Sequence, residues 1–101
     1  MSLIELNLQQ IFSLCRKYRV KSLSVFGSIL TDRFNEDSDV DLLVDFGEID
    51  HEQFDYVSNY FDFRDALETL FGRPVDLIEE RGIKNKFFIR NINRTKQLIY
   101  G

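Results

Sequence analysis

Two short stretches hold residues whose types and spacing suit phosphate chemistry. The first is Gly27-Ser28, directly after the apolar run of residues 22–26. A Gly-Ser turn leaving a strand lets backbone N–H groups and a hydroxyl approach an anion closely. The second is Asp39-Val40-Asp41, which follows after ten intervening residues and opens another apolar run, residues 40–46. Strand side chains alternate between faces, so Asp39 and Asp41 share one face, about 6 to 7 Å apart at Cα. Two such carboxylates repel each other and are costly to desolvate unless a cation joins them. Mg²⁺ suits them, because it takes oxygen ligands and is usually held by one or two carboxylates together with substrate phosphates. With one His and one Cys in 101 residues, a Zn²⁺ cluster lacks ligands.

The elements that must position these groups are legible from periodicity. Apolar residues at spacings of three and four predict a helix over residues 3–18, with Cys15 on its apolar side as core packing rather than as a nucleophile. A strand over 22–26, a short helical turn over 29–34, a polar loop over 35–38 and a strand over 40–46 follow. A long helix is expected from Asp50 to about Phe71, with Asp50 as N-cap, Gln53 completing the box, and Phe54, Val57, Phe61, Leu67, Leu70 and Phe71 buried. His51, in its first turn, reads as an exposed helix-start residue. Aromatic residues run all round this helix, so one side must face something other than the core, and a partner surface is one reading of it. Gly72 and Pro74 end it. A crossover helix allows the strand from Val75 to lie parallel to the strand ending near Phe46. A last helix over 83–93 and a final segment, Gln97 to Tyr100, as a short strand or a packed tail, complete the order.

The spacing Gly27-Ser28, ten residues, Asp39-Val40-Asp41, with Gly72-Arg-Pro-Val-Asp-Leu-Ile78 later, resembles the polymerase β superfamily of nucleotidyltransferases. Among these it most resembles the minimal, MNT-type members of about a hundred residues. The resemblance implies an α/β (α+β) nucleotidyltransferase fold with a small mixed sheet of three to four strands and helices packed against it. It also supplies Asp76 as a third carboxylate, whose alternative is an edge-strand solubility residue. In the mechanism so implied, Asp39, Asp41 and Asp76 are catalytic and hold two Mg²⁺ ions, Gly27 and Ser28 hold the triphosphate of ATP, and Arg33 adds a phosphate contact. The segment Ile29 to Arg33 departs from the family pattern, with Asp32 placing a negative charge beside a polyanion site.

Length and composition set bounds. The chain is expected to be one domain over residues 1–101. No apolar run is long enough to span a membrane, and one Cys makes no internal disulfide, in keeping with a cytoplasmic protein. All 17 acidic residues lie in positions 1–80 with seven basic ones, while residues 81–101 hold six basic and none acidic. The basic end could meet triphosphate, nucleic acid or an acidic partner, or be a solvated helix face; the net charge of −4 and the lack of a nucleic-acid module speak against direct DNA or RNA binding. The acceptor implied by the resemblance is a tyrosine of a HEPN-type toxin with ribonuclease activity, which makes the chain the antitoxin of a toxin–antitoxin pair. Two other readings stand beside it: a catalytically weak binding module that neutralises a partner by steric cover, and a transferase acting on a small-molecule hydroxyl. Homo- or hetero-oligomers are both open.

Overall fold

A computed structural model describes residues 2–48 and 54–101 of the chain. Asp50, His51 and Gln53, and the roles expected of them, lie outside the described residues. The elements run α1 (Ser2–Leu6), α2 (Leu8–Lys17), β1 (Ser22–Phe26), β2 (Val40–Asp45), α3 (Tyr56–Phe71), β3 (Val75–Glu79), α4 (Lys86–Thr95) and β4 (Gln97–Tyr100). Short 3₁₀ turns at Gly27–Leu30 and Glu80–Gly82 follow β1 and β3.

The four strands form one mixed sheet in the order β3-β2-β1-β4. β1 is antiparallel to both β2 and β4, whereas β2 and β3 are parallel, as a crossover through α3 allows. Alternation along the strands divides the apolar residues between two faces. Leu23, Val25, Val40, Leu42, Val44, Val75 and Leu77 pack with Ile11 and Cys15 of α2 and Phe63, Leu67 and Phe71 of α3 in the main core. On the opposite face a smaller cluster joins Phe26 and Leu43 to Ile92 of α4. The final segment is a paired strand, Leu23 lying opposite Tyr100 and Val25 opposite Gln97.

The first helix expected over residues 3–18 is two helices that break at Asn7. The Asn7 amide donates to the Leu3 carbonyl at 2.8 Å while its backbone N–H bonds Ile4 O at 3.1 Å, so a local side-chain bond competes with the helical ladder. Cys15 is fully buried, as expected of a core residue.

The third helix is a larger correction. Asp55, not Asp50, caps it, accepting from the Ser58 N–H at 3.2 Å, so it starts at Tyr56. Its buried stripe also differs in phase: Phe63, Leu67 and Phe71 are buried, while Val57 and Phe61 are 62% and 44% exposed. Residues 63, 67 and 71 recur every fourth position and meet the sheet, whereas the aromatic residues all round the helix gave periodicity no single phase. α4 is likewise displaced, starting at Lys86 where Asn85 caps it by accepting from Phe87 N at 2.9 Å and Phe88 N at 3.2 Å. No helix among the described residues is long and apolar enough to cross a membrane.

Candidate active site

The end of β1 turns sharply because Gly27 adopts φ +78°, a left-handed conformation that L side chains rarely tolerate. The following 3₁₀ turn is stapled at its far end. Thr31 donates to Ser28 O from both its backbone N–H, at 2.9 Å, and its hydroxyl, at 2.8 Å, and its Oγ1 accepts from Arg33 N at 3.2 Å. The backbone N–H of Ser28 lies close enough to the carboxylate of Asp41 to favour its charged form.

Sheet register brings Asp41 level with two other elements of the site. It is opposite Phe26 on β1, the residue before Gly27, and opposite Asp76 on the parallel neighbour β3. In-register residues on adjacent strands point to the same face about 4.8 Å apart, so the two carboxylates are neighbours. Asp39 precedes β2 and is exposed, as is Asp76, while Asp41 is half-buried. The carboxyl of Asp41 is held above the usual aspartate range, first by burial, then by the negative charges of Asp76 and Asp39, with the Ser28 N–H opposing the shift. The three carboxylates expected from the sequence are thus brought together electrostatically around Asp41.

The segments that carry Asp76 and Asp39 are supported from behind. β3 is tied to α3 by Glu68, whose Oε2 accepts from Val75 N at 2.8 Å, and by the Tyr60 hydroxyl, which donates to Leu77 O. The loop leading to Asp39 is clamped by Arg73, which sequence reasoning missed. Its Nη1 donates to Asn35 O at 2.9 Å and Ser38 O at 3.2 Å, and its guanidinium sits 4.8 Å from the Phe34 ring centroid. Val40 N donates to Pro74 O at 3.1 Å beside it. These contacts span more than thirty residues of chain, and the one local signal was a basic residue at the turn before the Asp76 strand.

A cleft of about 680 Å³ opens beside Gly27 and Ser28. Thr31 and the exposed Arg33 line it from the turn, and Phe88, Asn91 and Thr95 of α4 line it from across. Arg33 therefore shares a cavity with Gly27 and Ser28, and the three carboxylates are not among the residues that line it.

The donor set suits Mg²⁺: carboxylate oxygens only, one of them costly to ionise without a nearby cation. Among the described residues no three His, Cys, Asp or Glu side chains form a group that could hold a metal ion.

Strand order, the Gly-Ser turn and the in-register aspartates define a small nucleotidyltransferase. The family model described as nucleotidyltransferase domain matches residues 9–99, and the chain belongs to that family. A relative from Methanocaldococcus jannaschii, provisionally named a protein adenylyltransferase, is 37% identical over 84 residues, covering 83% of this chain and 79% of its own. The protein adenylyltransferase MntA of Thermococcus cleftensis is 36% identical over 69 residues, 68% of this chain and 65% of that one. Among solved structures, a protein provisionally described as a minimal nucleotidyltransferase superposes with a TM-score of 0.75 at 30% identity, over 93% of this chain and 90% of that chain. Two toxin–antitoxin structures share the fold at 18% identity. One, with AMP-PNP, has a TM-score of 0.73 and covers 94% of this chain and 73% of that one. The other, a tri-AMPylated Shewanella oneidensis HEPN toxin in complex with MNT antitoxin, has a TM-score of 0.67 and covers 96% and 71%.

Proposed function

We propose that this nucleotidyltransferase moves AMP from ATP to a tyrosine hydroxyl of a HEPN-type ribonuclease toxin and so acts as its antitoxin. The observation that carries the reading is the placement of Asp41, level with Asp76 and packed against Gly27, so that carboxylates and phosphate turn meet at one point. The names of the relatives support AMP as the group transferred and a protein as its acceptor.

In the proposed reaction the acceptor oxygen bonds to the α-phosphorus, the bond from that phosphorus to the α–β bridging oxygen breaks, and pyrophosphate leaves. Gly27 lets the backbone approach the triphosphate, and Ser28 and Arg33 contact its oxygens from the cleft. Asp39 and Asp41 would hold Mg²⁺ on the nucleotide side; Asp76, exposed beside them, would hold it on the acceptor side and favour loss of the hydroxyl proton. When bound, the metal neutralises the triphosphate and stabilises the entering and leaving oxygens of the in-line displacement. The fold behind β2 and β3 keeps the three carboxylates fixed while the acceptor arrives.

The test is transfer of label from α-labelled ATP with Mg²⁺ to a purified HEPN-type toxin, comparing wild type with Asp39→Asn and Asp41→Asn. Label on the toxin that disappears in both variants supports the reading. Tight toxin binding without label, unchanged in the variants, would mean neutralisation by steric cover. Label on a small alcohol such as an aminoglycoside, with none on the protein, would mean a small-molecule transferase.

A further inference from the structure

The cations of the last twenty-one residues are sorted by the fold. Arg81 and Lys96 turn back on the acidic body: Arg81 Nε lies 3.8 Å from Asp45 Oδ1, and Lys96 Nζ 3.8 Å from Glu80 Oε1. Lys84, Lys86, Arg90 and Arg94 are exposed, and among the described residues they take part in no ion pair. A segment that only balanced the charge of residues 1–80 would turn these four inward as well.

Three of the four stand on α4 at intervals of four residues, so Lys86, Arg90 and Arg94 form one stripe along a helix about 15 Å long. Phe87 lies beside the stripe and is 80% exposed, a large apolar ring left in solvent among cations. The other side of the same helix is occupied: Phe88, Asn91 and Thr95 line the cleft next to Gly27 and Ser28, and Ile92 is buried against Phe26 and Leu43. The basic stripe therefore flanks the cleft without forming its wall.

We propose that the outer face of α4 is a docking surface for an acidic polypeptide segment of the protein that receives the nucleotidyl group. The inference rests on the reading of a protein acceptor given above. Charge complementarity selects the occupant: the cations match a short run of Asp and Glu, and Phe87 gives it an apolar anchor. A segment held there delivers the acceptor to the side of α4 that borders the phosphate turn, which raises the chance of productive encounter. A nucleic acid also seeks cations, but its phosphates continue past a ten-residue helix toward a body carrying all 17 acidic residues, Asp39 and Asp76 among them. A peptide ends where the stripe ends.

Fluorescence anisotropy tests this with three labelled probes: a short peptide of Glu and Asp around a tyrosine, the same peptide with Gln and Asn in their place, and a short single-stranded RNA. The acidic peptide is expected to bind about tenfold more tightly than the neutral one and to weaken between about 50 and 200 mM salt. Arg90→Gln with Arg94→Gln, and separately Phe87→Ser, should each weaken it several-fold, while calorimetry shows ATP binding with Mg²⁺ unchanged. Equal binding of both peptides, wild-type affinity in the Arg90→Gln/Arg94→Gln variant, or tighter binding of the RNA would overturn the proposal. Selective binding of the acidic peptide by a protein that labels no protein acceptor would retain the surface and overturn the transfer reading instead.

Discussion

A Cβ placed on Gly27 would lie 2.2 Å from Oδ2 of Asp41, so the turn after β1 and the half-buried carboxylate of β2 share a space that only glycine leaves open. The Ser28 backbone beside it favours the charged form of that carboxylate. Backbone conformation and side-chain contact thus demand the same residue.

Gly27→Ala should therefore be damaging on two counts. The positive φ costs about 1–2 kcal/mol for a residue with a Cβ, and Asp41 must move away from the turn. Denaturant unfolding should show a loss of at least that size, and nucleotide transfer should be abolished. Wild-type stability and activity in this variant would disprove the close approach.

Asp41→Asn separates stability from function. Because burial and the neighbouring Asp76 and Asp39 raise the Asp41 pKa in the folded state, the unfolded state binds fewer protons across that window. Stability from this group is therefore present at low pH and is lost as pH rises through the unfolded and then the folded pKa. The asparagine variant should melt at a higher temperature than wild type near neutral pH, with the difference shrinking as pH falls toward the ordinary aspartate range. Added Mg²⁺ should raise the melting temperature of wild type and not of the variant. Thermal scans across pH, with and without the metal, check both statements.

Arg73→Met removes two hydrogen bonds to the carbonyls of Asn35 and Ser38 and the contact with Phe34. A stability loss of about 1–3 kcal/mol is expected from charged hydrogen bonds of this kind. Its functional effect should appear mainly as slower turnover, because the loop that delivers Asp39 loses its anchor while Gly27 and Ser28 keep theirs. A change confined to nucleotide affinity would contradict that role. Arg73→Lys, with one ammonium in place of a forked guanidinium, should recover only part of the loss.

Cys15 should be inert in the native protein. Its thiol is fully buried, and burial pushes its pKa up to about 12, with Arg16 opposing only weakly. A thiol-reactive dye at mildly alkaline pH should label it only after denaturant is added, at a rate that follows unfolding. Rapid labelling of the folded chain would show that α2 separates readily from the sheet.

Much of the site could be read in the sequence because its constraints are local. A glycine at a strand end, two aspartates at period two and a Val-Asp-Leu-Ile run each state their own strand, face and turn. Strand alternation alone placed Asp76 on the face away from Val75 and Leu77, and the structure buries both of those while leaving Asp76 exposed. The start and phase of α3 were not legible in this way. Tyr56, Val57, Tyr60, Phe61 and Phe63 cover too much of the helix for periodicity to choose, and Phe63 is buried because it meets Tyr18 and Phe46 from other elements.

By itself, then, the sequence determined the groups on offer: a Gly-Ser turn at a strand end, three strand-borne aspartates, and the strands to carry them. Tertiary structure alone decided what those groups meet. Parallel pairing set Asp76 level with Asp41, and Arg73 reached across the fold to hold the loop before Asp39. Packing of α4 on Phe26 and Leu43 made a cleft beside Gly27 and turned a row of cations outward. Register and packing depend on which distant surfaces exclude water together, and no local pattern of residues records that choice.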